Sequence, residues 1–208
     1  MDASGRVRLD AIARFLQDAA IDDVQETGWG MPDHLWFVRS IRIDVLEPLF
    51  GPAEVQLTTW CSGVAAIAAG RRWSLAGDTG GRIEVDSVWI HLDADQRPAR
   101  IEDFGVYAEA TAGRHASTKL ALPDPPRDAP RRAWPLRATD IDLHGHVNNA
   151  VHWQAVEHVL RTSGRVRAEL DYRRPIDKGD EIELVTYGDC VALIAGDDVK
   201  AVAKVTAI

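Results

Sequence analysis

Residues 140–149 read DIDLHGHVNN, and an apolar helical period begins directly behind them in NAVHWQAVE. Paired asparagines ahead of such a period mark a helix start, with Asn148 or Asn149 accepting from the first-turn amides as an N-cap. The pattern predicts a strand over 134–142, a loop over 143–148 and a helix over about 149–162. That helix carries Val151, Val156, Val159 and Leu160 on or near one face and ends at Gly164. Where a strand runs into a helix start, free backbone N–H groups and the positive end of the helix dipole meet. A developing oxyanion placed there is stabilised without any side chain. Asp142 is then a carboxylate able to activate water or attack, and His146 an imidazole able to move the proton. On spacing alone a plainer reading stays open, in which Asp142 closes an Asx turn and an asparagine only caps the helix.

Working outward, residues 119–133, KLALPDPPRDAPRRA, contain four prolines and no apolar period. Proline removes backbone donors and restricts its predecessor, so this stretch reads as a linker. It separates an N-terminal unit, 1–118, from a C-terminal unit, 134–208. The N-terminal unit opens with an amphipathic helix, in which Leu9, Ile12, Phe15, Leu16, Ala19 and Ala20 recur at three- and four-residue spacing before Gly28. Alternating runs follow at 41–45, 55–59 and 82–92, the last one after the turn GDTGG. The C-terminal unit repeats the order, with strands expected at 165–174, 181–187, 190–195 and 199–207. Two successive units of one helix and an antiparallel sheet give an α+β class and suggest a duplicated module. Only MDASGRV precedes the first helix, so either the N-terminal unit lacks the first strand that its C-terminal counterpart has, or this start methionine lies downstream of the natural one. A missing edge strand leaves unpaired backbone groups on its neighbour.

Composition narrows the functional classes. The net charge of −8 argues against a broad nucleic-acid surface. No apolar run approaches the roughly 18 residues of a membrane span, and the N-terminus has no apolar block of a secretory signal. Cys61 and Cys190 are too few for a disulfide framework, which points to a reducing cytoplasm. Cys190 reads as a packed thiol in a strand, and Cys61 as lying at a turn with Ser62-Gly63. His144, His146 and one acid fall short of the three or four converging ligands that zinc requires, so neither metal nor cofactor is expected. His34, His91, His115 and His158 read as isolated surface or hydrogen-bonded residues. No GxSxG elbow, Walker loop or strand-borne GxGxxG is present. The seven tryptophans suit the core or the lining of an apolar tunnel. Basic pairs at Arg71-Arg72, Arg131-Arg132 and Arg173-Arg174 are either solvated strand ends or a docking patch for an anionic partner.

Taken together, GRVRLDAIARFLQDAA, TTWCSG at 58–63, the stretch 71–101, DIDLHGHVNNAVHWQAVE and AELDYRRPI resemble the acyl-acyl-carrier-protein thioesterase family over nearly the whole chain. The resemblance implies a tandem double hot-dog, each unit a long helix wrapped by an antiparallel sheet. The family pattern D-x-D-x-N-x-H-V-N-N places its second aspartate at Asp142, its histidine at His146 and its asparagines at Asn148 and Asn149. Its catalytic asparagine is replaced by His144, and a tyrosine common after the asparagines by His152. Plant members follow Tyr-Arg-Arg with an acid and a cysteine, but here Tyr172-Arg173-Arg174 precede Pro175 and Ile176, which can neither accept a proton nor attack a carbonyl. The resemblance implies a cytoplasmic thiolester hydrolase of fatty acid biosynthesis that cleaves fatty acyl-ACP or acyl-CoA. Its catalytic residues would be Asp142, His144 and His146, with Asn148, Asn149 and His152 binding substrate. The expected partners are acyl carrier protein or coenzyme A thioesters and, in a homodimer, a second copy; neither nucleic acid nor membrane is expected. The alternative is an acyl-thioester or lipid-binding hot-dog module that kept the fold and lost the chemistry. A hydratase or dehydratase is a more distant third reading.

Overall fold

The computed structural model describes residues 1–29, 35–116 and 121–208, so His34 lies outside the described residues. The element order is α1 (Leu9–Thr27), β1 (Leu35–Glu47), β2 (Val55–Ala65), β3 (Ala68–Gly77), β4 (Arg82–Leu92) and α2 (Val106–Ala110), then β5 (Arg131–Trp134), α3 (Asn149–Val159), β6 (Val166–Tyr172), β7 (Ile182–Tyr187), β8 (Cys190–Ala195) and β9 (Asp198–Ala207). All nine strands form one sheet in the order β2-β3-β4-β1-β6-β9-β8-β7-β5. The halves are joined by backbone pairing of β1 with β6, from Ser40 opposite Asp171 to Val45 opposite Val166.

Both long helices lie on one face of this sheet. The apolar stripe of α1 buries Leu9, Ile12, Ala13 and Leu16, while α3 buries Ala150, Val151, Trp153, Ala155 and Val156. Together with Ile43, Leu75, Ile83, Ala168, Leu170, Leu184 and Leu193 they make a single core that crosses the β1–β6 seam. Each fully buried large aliphatic side chain contributes about 1.5–3 kcal/mol. Phe15, expected inside, is instead nearly half exposed. At about 100° per residue it sits roughly 110° round from the centre of the stripe. Gly28 ends α1 in the left-handed region at φ 63°, as its position in the sequence predicts. The helices also meet through a polar contact, Gln154 Nε2 donating to the buried Asp10 at 2.9 Å, and Arg6, ahead of α1, pairs with Glu157 of α3 at 2.9 Å.

Several boundaries differ from the sequence reading. β3 was not anticipated, because AAGRRWSLAG mixes small and charged residues without a clean alternation. The strand expected over 134–142 is β5, which ends at Trp134, and a 3-10 turn occupies Ala138–Asp140. α3 ends at Val159, short of Gly164. Cys61 lies inside β2, beside an irregularity in its pairing with β3, rather than at a turn. Among the described residues, the N-terminal half contributes four strands and the C-terminal half five. The free edge of β2 is partly covered by the segment after α2, where Val64 donates to the Arg114 carbonyl and Ala116 donates back to Val64.

The proline-rich stretch has no regular structure over 121–130, yet it is anchored. Leu122 packs on the outer sheet face with Val185, Ala192, Ile194 and Val202. Tyr187 donates to the Pro123 carbonyl, and Arg173 reaches both Asp124 and the Leu122 carbonyl.

Candidate active site

The loop behind β5 is shaped by its own side chains. Asp142 Oδ1 accepts the backbone amides of His144 at 2.8 Å and His146 at 3.1 Å, so this aspartate does close an Asx turn. The turn passes through Gly145 at φ 82°, a conformation costly for any side chain. The Asp142 amide in turn donates to the His146 carbonyl at 2.7 Å. Asp142 Oδ2 makes no hydrogen bond among the described residues, which leaves one carboxylate oxygen available. Asp140, the first aspartate of the motif, is buried and serves structure: it binds Arg137 at 2.8 Å, and its carbonyl accepts from Asn148.

Asn148 is the N-cap of α3, its Oδ1 accepting from the Ala150 amide at 2.9 Å. The Val151 amide bonds to the Asn148 carbonyl, leaving the amide of Asn149 without an acceptor among the described residues. A helix start with one free N–H and its dipole aimed outward suits an oxyanion.

A cavity of about 270 Å³ opens at this corner. Asp142, His144, His146, Asn149 and His152 all line it, opposite Trp36, Phe37 and Val38 of β1, Tyr172 at the end of β6, and Arg174, Pro175 and Ile176 behind it. Five of the six residues expected at the site are thus brought together. The sixth, Asn148, holds the helix end rather than lining the cavity.

The imidazoles differ in character. His144 is exposed at the rim. His146 Nε2 lies 3.3 Å from Asp177 Oδ1, and the two residues also form an isolated antiparallel bridge. Asp177 was missed by sequence reasoning, although it follows directly on Pro175 and Ile176, where an acid was sought. Its side chain is largely exposed, so the pair is worth little as an ion pair and more as an orienting contact. His152 is buried against Tyr172, with ring centroids 5.0 Å apart. Burial lowers its pKa to about 4, partly opposed by the carbonyls of Asn148 and Asn149, and its Nδ1 makes no hydrogen bond among the described residues. It is therefore neutral near pH 7. The Tyr172 hydroxyl donates to the Asn149 carbonyl at 3.0 Å, and burial raises its pKa, so it too stays neutral.

A second, apolar cavity of about 220 Å³ lies in the N-terminal half, between α1 and the inner faces of β2, β3 and β4. Trp29, Trp36, Trp89, Phe104 and Tyr107 are among its walls, and Trp36 also lines the corner cavity. Trp73 and Trp153 are instead core residues. The cysteines are inert: burial raises the Cys61 thiol and pushes the Cys190 thiol to about 11. The arginine pairs are largely spent on internal partners, Arg71 on Asp23, Arg72 on Asp86, Arg131 on Glu183, and Arg174 on Asp198.

Comparison with known proteins agrees with this architecture. The model of the acyl-ACP thioesterase N-terminal domain matches residues 1–107, and that of the C-terminal domain matches residues 124–203. An uncharacterized protein of Mycobacterium tuberculosis is 30% identical over 214 residues, covering 98% of this chain and 86% of the relative. A chloroplastic oleoyl-acyl carrier protein thioesterase of Coriandrum sativum is 22% identical over 209 residues, 86% of this chain and 57% of the relative. Among solved structures, an acyl-ACP thioesterase from Bacteroides thetaiotaomicron superposes with a TM-score of 0.83 at 18% identity, covering 99% of this chain and 91% of that one. The α+β sheet with its two helices is therefore the double hot-dog fold, and the chain belongs to the acyl-ACP thioesterase family.

Proposed function

We propose that the protein is an acyl thioesterase, hydrolysing a fatty acyl thioester of acyl carrier protein or coenzyme A to the free acid and thiol. The observation that carries this reading is the shared wall at Trp36. It joins a polar corner holding Asp142, His144, His146 and the Asn149 amide to an apolar, tryptophan-lined pocket. A thioester carbonyl at the start of α3 would have its oxyanion held by the Asn149 amide and the helix dipole. Asp142, through Oδ2, orients and activates the attacking water, while Oδ1 keeps the loop in shape. Water adds to the carbonyl carbon, the C–S bond breaks, and His146, positioned by Asp177, delivers the proton to the departing thiolate. His144 offers a hydrogen bond at the rim, and neutral His152 binds without adding charge. In the cell the reaction would release products of fatty acid synthesis, in the reducing cytoplasm that the free, buried cysteines suit.

The test is thiol release from acyl-CoA and acyl-ACP substrates of graded chain length by the purified protein. Turnover with at least one chain length supports the proposal. A specific observation favours the second reading, a non-catalytic acyl-binding module: Pro175 and Ile176 hold positions where plant relatives have an acid and a cysteine, and Ile176 is buried in the core. Saturable binding across the panel with no thiol release would establish that module instead.

A further inference from the structure

The corner cavity has an exposed rim and a buried floor. His144 stands exposed at the rim and His146 is turned to Asp177, whereas His152 is 3% exposed and lines the same cavity from one turn into α3. Val38, Tyr172 and Ile176, also buried, line the cavity with it. Neither imidazole nitrogen of His152 makes a hydrogen bond among the described residues. Its Nδ1 is fully enclosed, which leaves Nε2 as the nitrogen with access to the cavity. Burial keeps the ring neutral near pH 7, so it carries one donor and one acceptor nitrogen. Buried polar groups are nearly always partnered, by protein, water or a ligand, and a plain hydrocarbon chain offers this ring nothing.

Helix geometry sets where such a partner sits. Asn149, whose amide holds the thioester oxygen in the reading above, and His152 are three residues apart on α3. That spacing puts them on one helix face, with Cβ atoms about 5–6 Å apart. The thiol arm stays on the exposed side, because its carrier is too large for the cavity, so the acyl carbons beyond the carbonyl run toward the floor. An oxygen on the third carbon of the chain then stands two carbons past the carbonyl, within hydrogen-bond reach of the second position. A hydroxyl both donates and accepts, and so serves either tautomer of the ring.

We infer that the site takes acyl thioesters bearing a hydroxyl on the third carbon, and that His152 is the residue that recognises this hydroxyl. The inference rests on the thioesterase reading for the placement of the carbonyl, but the binding preference does not require hydrolysis. A carboxylate in the same place is disfavoured, because the neutral ring offers it no positive charge on a buried floor. A site built to hydrogen-bond a hydroxyl discriminates against the analogue that lacks one, since its own polar group is then left unpaired.

The experiment compares octanoyl-CoA with 3-hydroxyoctanoyl-CoA on the unmodified protein by stopped-flow quenching of tryptophan fluorescence, to which Trp36 in the cavity wall contributes. Thiol release from both esters is measured in parallel. The hydroxy ester should bind about tenfold more tightly, the worth of one added neutral hydrogen bond, and its kcat/KM should be higher by a similar factor. His152→Phe keeps a ring against Tyr172 and removes both nitrogens, so it should bring the two esters within about twofold of each other. His152→Gln, which keeps a donor and an acceptor, should retain most of the preference. Equal affinity for the two esters in the unmodified protein overturns the proposal and leaves His152 a core histidine served by water. A preference that survives in His152→Phe also overturns it, because the hydroxyl is then read elsewhere. The comparison on the unmodified protein decides the matter even if a variant fails to fold. Preferential binding of the hydroxy ester without thiol release from either would sink the thioesterase reading and leave this one standing, whereas thiol release from both with equal affinity would do the reverse.

Discussion

Replacing Asp142 by asparagine separates the two tasks assigned to that side chain. Its Oδ1 holds the loop through two backbone amides, at 2.8 and 3.1 Å. An asparagine Oδ1 accepts the same amides, so the turn is retained and only the charge assistance is lost. Hydrogen bonds to charged groups contribute about 1.5–3 kcal/mol and neutral ones about 0.5–1.5 kcal/mol, a loss of about 1 kcal/mol for each of the two. The half-exposed loop screens part of that, leaving about 1 kcal/mol in all. For a chain of this size the midpoint should then fall by about 2–4 °C. Hydrolysis should fall far more, by about 10²- to 10⁴-fold, because the group that activates water is gone. The assay pairs thermal unfolding with thiol release on the best acyl-CoA found for the parent. Activity within about threefold of the parent, with the midpoint nearly unchanged, would refute the catalytic assignment and leave Asp142 as a loop anchor. A midpoint drop well beyond 10 °C would refute the separation of roles.

Other consequences of the structure can be measured in the same way. Asp177→Asn should lower kcat several-fold while leaving KM within about twofold, since Asp177 acts by positioning His146 and is itself largely exposed; equal losses in kcat/KM and stability would argue for a structural role. His152 has a folded pKa of about 4 against 6.5 for the free side chain. Between those values the unfolded chain binds the extra proton, so the stability this group contributes is complete above about pH 6.5 and lost as pH falls toward 4. His152→Tyr should flatten that decline in urea midpoints between pH 7 and 4.5, and an unchanged slope would count against the assignment. Leu170→Ala, at a fully buried position paired with Ile41 across the β1–β6 seam, should cost about 2–5 kcal/mol and lower one cooperative transition. Two separated melting transitions would contradict a shared core.

Much of this molecule was legible from its chain because the deciding signals were local. The stripe from Leu9 to Leu16, the stop at Gly28 and the paired asparagines ahead of α3 each act within a few residues through helix periodicity and capping. The resemblance carried by DIDLHGHVNN and its flanks named the family correctly, and Asp142, His144, His146 and Asn149 of that motif line one cavity while Asn148 caps the helix. What periodicity could not read was set by partners far away in sequence. β3 forms because β2 and β4 flank it, although its small residues show no alternation. The two halves are one body because β1 pairs with β6, a backbone match that no side-chain pattern records. Asp177 reaches His146 only because the loops behind β5 and β6 bridge. Arg71 looked like half of a surface basic pair, yet strand alternation turns it inward toward Asp23 while Arg72 faces out to Asp86. The sequence by itself determined the helices, their caps and the chemical groups of the corner, since those depend on neighbours along the chain. Only the tertiary structure decided which acid meets which base and where the pocket ends, since those contacts are made by long-range strand pairing.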